Sequence, residues 1–213
     1  MSAKTKIFFA SRNKVKWSYF KHWCTLVEYE YMTPYDIKPQ KWPQFKEDGK
    51  TIEENTQIKA VHWSKVVNDV FVLANDCGAK IPGLGKNWQE QLTKRQVGGE
   101  KASELDKIKT LLKLMRNLKG EKRKIQWGDA IAIATNGKLL GSIVALSPIG
   151  YVIEKLPSKP KIISGAPLAT IEYKPRFGKV YSELTEKEIS QHDSKTIKKF
   201  QEFIKKIIKK NNR

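Results

Sequence analysis

Lys6-Ile-Phe-Phe-Ala-Ser-Arg-Asn-Lys-Val-Lys16 is the stretch that decides the fold. Its first half is a short apolar run rich in strand-favouring residues, which reads as a buried strand. At Ser11 the chain turns polar and enters a helical stretch. A strand that feeds a helix through a short polar turn is the opening unit of an α/β chain. The pattern continues outward. Val27, Tyr29 and Tyr31 alternate with Glu28 and Glu30, a strand with one polar face. Pro34, Pro39 and Pro43 predict a loop. Thr51-Ile-Glu-Glu54 opens a helix to about Val67, with Thr51 and Glu54 at capping-box spacing.

Val70 to Ala74 is a second buried strand, and Asn75-Asp-Cys-Gly78 reads as the turn past its C-terminal end. Ile81 to Gly99, rich in glycine, reads as an ordered excursion or a mobile loop. Ser103 caps a helix whose Leu105, Ile108, Leu111, Leu112, Met115 and Leu118 recur at three-to-four spacing. Asn136-Gly137 between two apolar runs predicts a hairpin, and Tyr151 to Leu156 a third antiparallel strand. A final helix from about Ser194 places Ile197, Phe200, Ile204 and Ile207 on one face. The expectation is one α/β domain over 1–213, a two-lobed mixed sheet with flanking helices. Its second lobe is expected to be mainly the meander around 125–160.

Composition limits what such a domain does. Hydrophobic residues at 39% and aromatics at 10% exclude a disordered chain. No apolar run approaches the ~20 residues of a membrane helix, and two cysteines, Cys24 and Cys77, make neither a disulfide framework nor a four-ligand zinc site. The expectation is a soluble, cytoplasmic protein without a membrane partner. Basic side chains number 41 against 22 acidic ones, a net charge of +19 that favours polyanions. Only six of the 41 are arginine, the better bidentate reader of phosphates and base edges, so a lysine-rich solvated surface is favoured over a nucleic-acid footprint.

Three segments place polar groups where α/β proteins build sites. Ser11 to Lys16 lies between strand and helix, where helix-start N–H groups and a lysine suit an anion, although an ordinary polar turn has the same look. Glu54 is either the capping partner of Thr51 or an oxygen ligand for a hard cation. Asp76 is either a turn residue or a group that holds a metal or takes a proton from attacking water. His192, read as lying just ahead of the last helix, can contact a phosphate, and Asp193 and Ser194 serve equally as helix-start residues.

In order, these segments resemble the inosine triphosphate pyrophosphatase family. Ala10-Ser-Arg-Asn-Lys-Val-Lys16 is similar to that family's opening A-[ST]-x-N-x-x-K. Glu47-Asp-Gly-Lys-Thr-Ile-Glu-Glu-Asn55 with Ile58-Lys-Ala60 is similar to G-x-T-F-x-E-N-A-x-x-K-A, and Leu73-Ala-Asn-Asp-Cys-Gly78 to A-D-D-S-G. Thr93-Lys-Arg95 stands where the family has S-A-R. Ser182-Glu-Leu-Thr185, Lys187 and His192 resemble its closing A-E-L-[TS]…E-E-K…S-H-R-G.

The resemblance implies a central nucleotide cleft, a homodimer, and Mg²⁺-dependent (or Mn²⁺-dependent) hydrolysis of a nucleoside triphosphate to monophosphate and pyrophosphate. By position, Ser11, Asn13, Lys16 and Lys187 would bind phosphates. Glu54 and Asp76 would serve the metal, with Asp76 also the catalytic proton acceptor. Cys77, Arg95 and His192 would contact the nucleotide. Departures cluster in the base-reading half. Asn75 and Cys77 replace family residues, Ile163-Ser-Gly-Ala-Pro167 stands for F-G-[YW]-D-P, and Asp193 replaces the arginine after His192. Trp88 and Trp127 stay open as core residues or replacement stacking surfaces. The resemblance therefore implies a base preference shifted away from inosine and xanthosine. The alternative is an inactive relative that binds nucleotides or nucleic acid.

Overall fold

Ile7, Phe8 and Phe9 are all buried, so the strand they form is covered on both faces. That is the condition of an interior parallel strand, and it explains an unbroken apolar run where alternation would mark a half-exposed one. The computed structural model describes residues 4–38, 42–99 and 101–212, so Pro39 of the expected loop lies outside the described residues. The chain forms two compact units, Met1–Cys77 with Asp129–Ala145 and Lys195–Arg213, and Gly78–Gly128 with Leu146–Ser194.

In the first unit, β1 (Thr5–Phe9) lies parallel to both β2 (Tyr29–Met32) and β3 (Phe71–Lys80), with Ile7 opposite Tyr31 on one side and Phe71 on the other. β3 then pairs with β4 (Lys124–Thr135), and β4 with β5 (Lys138–Leu146). Side chains alternate across these strands. Ile7, Phe9, Leu73, Ile131 and Ile133 pack with Phe20 and Cys24 of α1 (Lys14–Cys24) and with Phe200, Ile204 and Ile208. The other face, Phe8, Val72, Ala74, Ala132 and Ala134, packs on Ala60 and Trp63 of α2 (Ile52–Ser64). The β4–β5 turn is the expected one, with Asn136 at φ 47° and Gly137 at φ 77°, both in the left-handed region a type I′ turn requires.

The second unit packs Ala79, Ile81, Ile125, Val152, Leu168 and Ile171 against Ile108 and Leu111 of α4 (Glu104–Leu114), whose N-terminus Ser103 caps as expected, and against Met115 at its C-terminal cap. The segment 81–99 is ordered into short 3-10 turns and the one-turn α3 (Thr93–Gln96). Arg123, buried, donates to the carbonyls of Met115, Leu118, Val152 and Ile153 and so ties the α4 exit to the neighbouring strand. β6 (Gly150–Val152), β7 (Glu172–Lys174) and β8 (Lys179–Val180) run antiparallel in sequence from the start of β4.

Four expectations are corrected. β6 pairs with β4 and not with β5, so the three strands are not a simple meander. The hairpin's residues 129–145 belong to the first unit, so the second is not built mainly from 125–160. β3 continues through Asn75–Gly78 to Lys80, where polar residues had suggested a turn. The last helix, α5 (Glu186–Asn211), starts eight residues earlier than Ser194. Its start is set by Thr185, whose hydroxyl accepts from Glu188 N–H (3.3 Å) while the Glu188 carboxylate accepts from Thr185 N–H (2.8 Å).

Candidate active site

Within β3, Val72, Ala74 and Asp76 are in phase, so the strand that buries Val72 and Ala74 against α2 turns Asp76 toward the same helix. There its Oδ1 lies 3.5 Å from Lys16 Nζ and 4.0 Å from Lys59 Nζ, and its side chain keeps 15% exposure. Lys59 also reaches Glu47 Oε1 at 3.2 Å and donates to the Asn75 carbonyl at 3.1 Å. Lys16 is opposed by burial, which lowers its pKa. The neighbouring Cys77, Asp76 and Glu47 outweigh that and hold its ammonium above the usual lysine range. The Cys77 thiol is pushed up to about 11, first by burial and further by Asp129 and Asp76, while Lys16 and Lys59 act against this. Two ammonium groups and two carboxylates thus converge from α1, α2, β3 and the loop before α2. All lie in the first unit.

Lys59 is the contributor that residue-level reasoning passed over. It sits in phase with the buried stripe Ile52, Asn55, Thr56, Lys59, Ala60 and Trp63 of α2. A lysine in an inward helical stripe is a signal in itself, because burying an ammonium requires a partner. Asp129, buried on β4 and felt by Cys77, was equally unforeseen.

The Ser11–Lys16 turn shapes the entry to α1. Ser11 Oγ accepts from Asn13 N–H at 3.2 Å, Asn13 carbonyl accepts from Lys16 N–H at 3.1 Å, and Trp17 Nε1 donates to the Ser11 carbonyl at 2.9 Å. No acidic residue occupies the first turn of α1, so its positive N-terminal end is not neutralised from within the helix. Asn13 is exposed and Ser11 half-buried. This geometry suits an anion at the turn.

Glu54 does not share the ion pairs of Asp76. Thr51 Oγ1 accepts from Glu54 N–H (3.0 Å), and Glu54 Oε2 accepts from Lys50 N–H (2.6 Å), which is the cap arrangement with the return bond shifted by one residue. Gly49 is required beside it, since a Cβ there would lie 2.7 Å from Glu54 Cβ. Among the described residues, no three His, Cys, Asp or Glu side chains gather closely enough to hold a metal by themselves.

The remaining expected residues lie in the second unit. Arg95, on α3, and Lys187, on α5, are exposed. His192 is buried inside α5, its Nδ1 2.7 Å from Asp193 Oδ1 and its ring edge-on to Tyr181 at 5.3 Å. Its Nε2 is buried without a hydrogen-bond partner among the described residues, as is Ser182 Oγ. Nearby in sequence, β7 buries a Glu172–Lys174 pair at 2.5 Å, with Trp127 Nε1 donating to Glu172 (3.1 Å) and Lys174 donating to the Pro148 carbonyl (3.3 Å). Burial pushes the Glu172 carboxyl up, and Lys174 opposes the shift. Trp127 and Trp88 both pack against the core of this unit, and Trp88 Nε1 donates to the Ala79 carbonyl at 2.6 Å. Both tryptophans therefore have a structural role, one through Glu172 and one through the backbone.

Known proteins resemble this chain in sequence and in fold. The dITP/XTP pyrophosphatase of Caldanaerobacter subterraneus subsp. tengcongensis is 29% identical over 169 residues, 78% of this chain and 80% of that protein. The protein of the same name from Thermoanaerobacter sp. (strain X514) is 31% identical over 162 residues, 75% of this chain and 77% of its own length. The structure of a HAM1 protein from Coxiella burnetii superposes with a TM-score of 0.76 at 20% identity, over 95% of this chain and 99% of that one, a likeness of fold. The model of the Ham1 family matches residues 7–147, a span that includes the end of β1, the Ser11–Lys16 turn, α2 and the Asp76 cluster. The chain belongs to the Ham1 family.

Proposed function

We propose that the chain is a nucleoside triphosphate pyrophosphatase, cleaving its substrate with water into a nucleoside monophosphate and pyrophosphate. The observation that carries this reading is Asp76, kept partly exposed between Lys16 and Lys59 in the middle of an otherwise buried strand. Phosphate oxygens dock at the α1 turn, where Ser11, Asn13 and the helix N–H groups meet the charge of Lys16. Lys59, 4.0 Å from the Asp76 carboxylate, adds a second positive charge. Asp76 accepts a proton from the water that attacks the α-phosphorus. The bond from that phosphorus to the bridging oxygen breaks, and pyrophosphate carries away its electron pair.

A hard cation fits this donor set. Magnesium ions bind through one or two carboxylates and the substrate's own phosphates, so a ready cage of three protein ligands is not required. Asp76 and Glu54, both oxygen donors, would hold Mg²⁺ or Mn²⁺, which supplies charge neutralisation on the phosphates when bound. Two relatives bear the name dITP/XTP pyrophosphatase. In this chain the base preference is shifted from theirs, because Ile163-Ser-Gly-Ala-Pro167 and Asp193 replace the residues expected to stack on and read the base. From their positions in the family's motifs, nucleotide contacts are assigned to Cys77, Arg95 and His192 and a phosphate contact to Lys187. A pyrophosphate-release screen over ordinary, deaminated and modified nucleotides with Mg²⁺ or Mn²⁺ tests the proposal. Equimolar pyrophosphate and monophosphate from at least one nucleotide is the expected result. Nucleotide binding with no pyrophosphate from any of them would establish the inactive alternative.

A further inference from the structure

From Lys195 onward, α5 divides sharply into two faces. Phe200, Ile204 and Ile208 are buried in the core of the first unit, with Ile207 and Phe203 packed beside them. The opposite face exposes Lys195, Lys198, Lys199, Lys205, Lys206, Lys209 and Lys210, interrupted by the single acid Glu202. At 1.5 Å per residue this stripe is about 22 Å long. Lys198 pairs with Glu202 at 4.0 Å, Lys205 reaches Glu28 at 3.5 Å, and Lys199 donates to the Val144 carbonyl at 2.7 Å. The ammonium groups of Lys195, Lys206, Lys209 and Lys210 make no ion pair or hydrogen bond among the described residues. Lys4, exposed near the start of β1, extends the charge past the helix end, where Asn212 Nδ2 donates to Thr5 Oγ1 at 3.0 Å.

We infer that this stripe is a docking surface for the phosphate backbone of double-stranded nucleic acid. Charge complementarity selects a polyanion, since a row of seven lysines of which only Lys198 and Lys205 face an acid among the described residues is relieved by a partner carrying a regular row of the opposite sign. The occupied apolar face argues against a membrane surface, because an interfacial helix inserts the very side chains that α5 has committed to the core. Exposed aromatics, on which single-stranded bases stack, are absent from the described part of the stripe. Lysine in place of arginine offers point charges and no bidentate base reading, so binding follows the backbone and is indifferent to sequence. The surface is separate from the Asp76 cluster, so the inference stands whatever the nucleotide reaction proves to be.

The test is binding of the full chain to a labelled 24-base-pair random-sequence duplex by fluorescence anisotropy across a salt series. The expected plot of log affinity against log salt is a line of slope about −4 to −6, at about −0.9 per neutralised phosphate. The variant K195Q/K206Q/K209Q/K210Q is expected to lose about 3 to 4 from that slope and at least tenfold in affinity at about 0.1 M salt. The pair K206Q/K210Q loses about half as much. A control with equal net charge, K86Q/K101Q/K109Q/K113Q, alters exposed lysines of the second unit and is expected to bind as the parent does. Equal weakening in both quadruple variants, tighter binding to the corresponding single strand, or binding to phosphatidylserine vesicles without binding to duplex would overturn the inference.

Discussion

The charges around Asp76 and those around Glu172 are built on opposite terms. Around Asp76 in the first unit, Lys16 and Lys59 stand 3.5 and 4.0 Å from one carboxylate oxygen, and both Lys16 and Asp76 keep part of their side-chain surface. Around Glu172 in the second unit, the partners lie 2.5 Å apart, are almost wholly enclosed, and are completed by Trp127 and a carbonyl. The first arrangement has distances too long and contacts too open to be valuable as a brace, since partly exposed pairs contribute about 0–1 kcal/mol. It leaves both Lys16 and Asp76 within reach of solvent. The second is saturated, and its value lies in not being broken. The Ham1 family match contains the first cluster and ends before Glu172 and Lys174.

This contrast predicts different consequences for the same operation, deleting one charge. In the first unit, Asp76→Asn is expected to lower pyrophosphate release by about 10²–10⁴-fold, the usual contribution of a positioned acid–base group, with the melting temperature changed by only a few degrees. Loss of stability with activity retained would reverse the comparison. In the second unit, Lys174→Met is expected to cost about 3–5 kcal/mol in denaturant unfolding, because it strands a buried carboxylate. The double variant E172L/K174M should recover most of that loss, and failure to recover it would show that the pair's polar bonds, and not its uncompensated charge, matter.

Thiol chemistry sharpens the same picture on a smaller scale. With its pKa pushed up to about 11, Cys77 is protonated at neutral pH, so its alkylation is slow and rises about tenfold per pH unit until that value. Lys16 favours the thiolate, so Lys16→Met is expected to raise the pKa further and slow alkylation at pH 9. Unchanged kinetics would mean the two groups do not share an environment. The smallest effect belongs to the α5 cap. Thr185 N–H and Lys179 hold the Glu188 carboxyl down to about 2, below its unfolded value of about 4.3. Stability from this group is present above that unfolded value and is lost as pH falls toward 2. Glu188→Gln should flatten the acid limb of the melting curve between those limits and leave the region above pH 5 parallel to the parent.

The parts of the fold that sequence made legible are those governed by local rules. β1, the Asn136-Gly137 hairpin and the Ser103 cap follow from burial period, turn chemistry and capping, each decided within a few residues. What was hidden depends on partners distant in the chain. Asp76 looked like a turn residue because polar side chains follow Ala74, yet β4, twelve residues long, carries β3 on to Lys80. Gly78 permits that continuation, since a Cβ there would lie 2.3 Å from the Glu90 carbonyl oxygen. The pairing of β6 with β4 is likewise a choice among strands that no local pattern distinguishes. His192 was misplaced for a different reason. Thr185 and Glu188 already spelled a capping box, but Ser194 offered a second plausible start nearer the apolar repeat. In the candidate site, Asp76 and Lys16 were named from sequence and meet in the structure, whereas Lys59 emerges only once its helical stripe is seen to point inward.

The most direct test of the central reading is the stoichiometry of products from one accepted nucleotide, measured for the parent chain and for Asp76→Asn with Mg²⁺ present. The account predicts one pyrophosphate per nucleoside monophosphate from the parent, and loss of both products together in the variant with nucleotide binding retained. Orthophosphate with a diphosphate product, or undiminished pyrophosphate from Asp76→Asn, would contradict it.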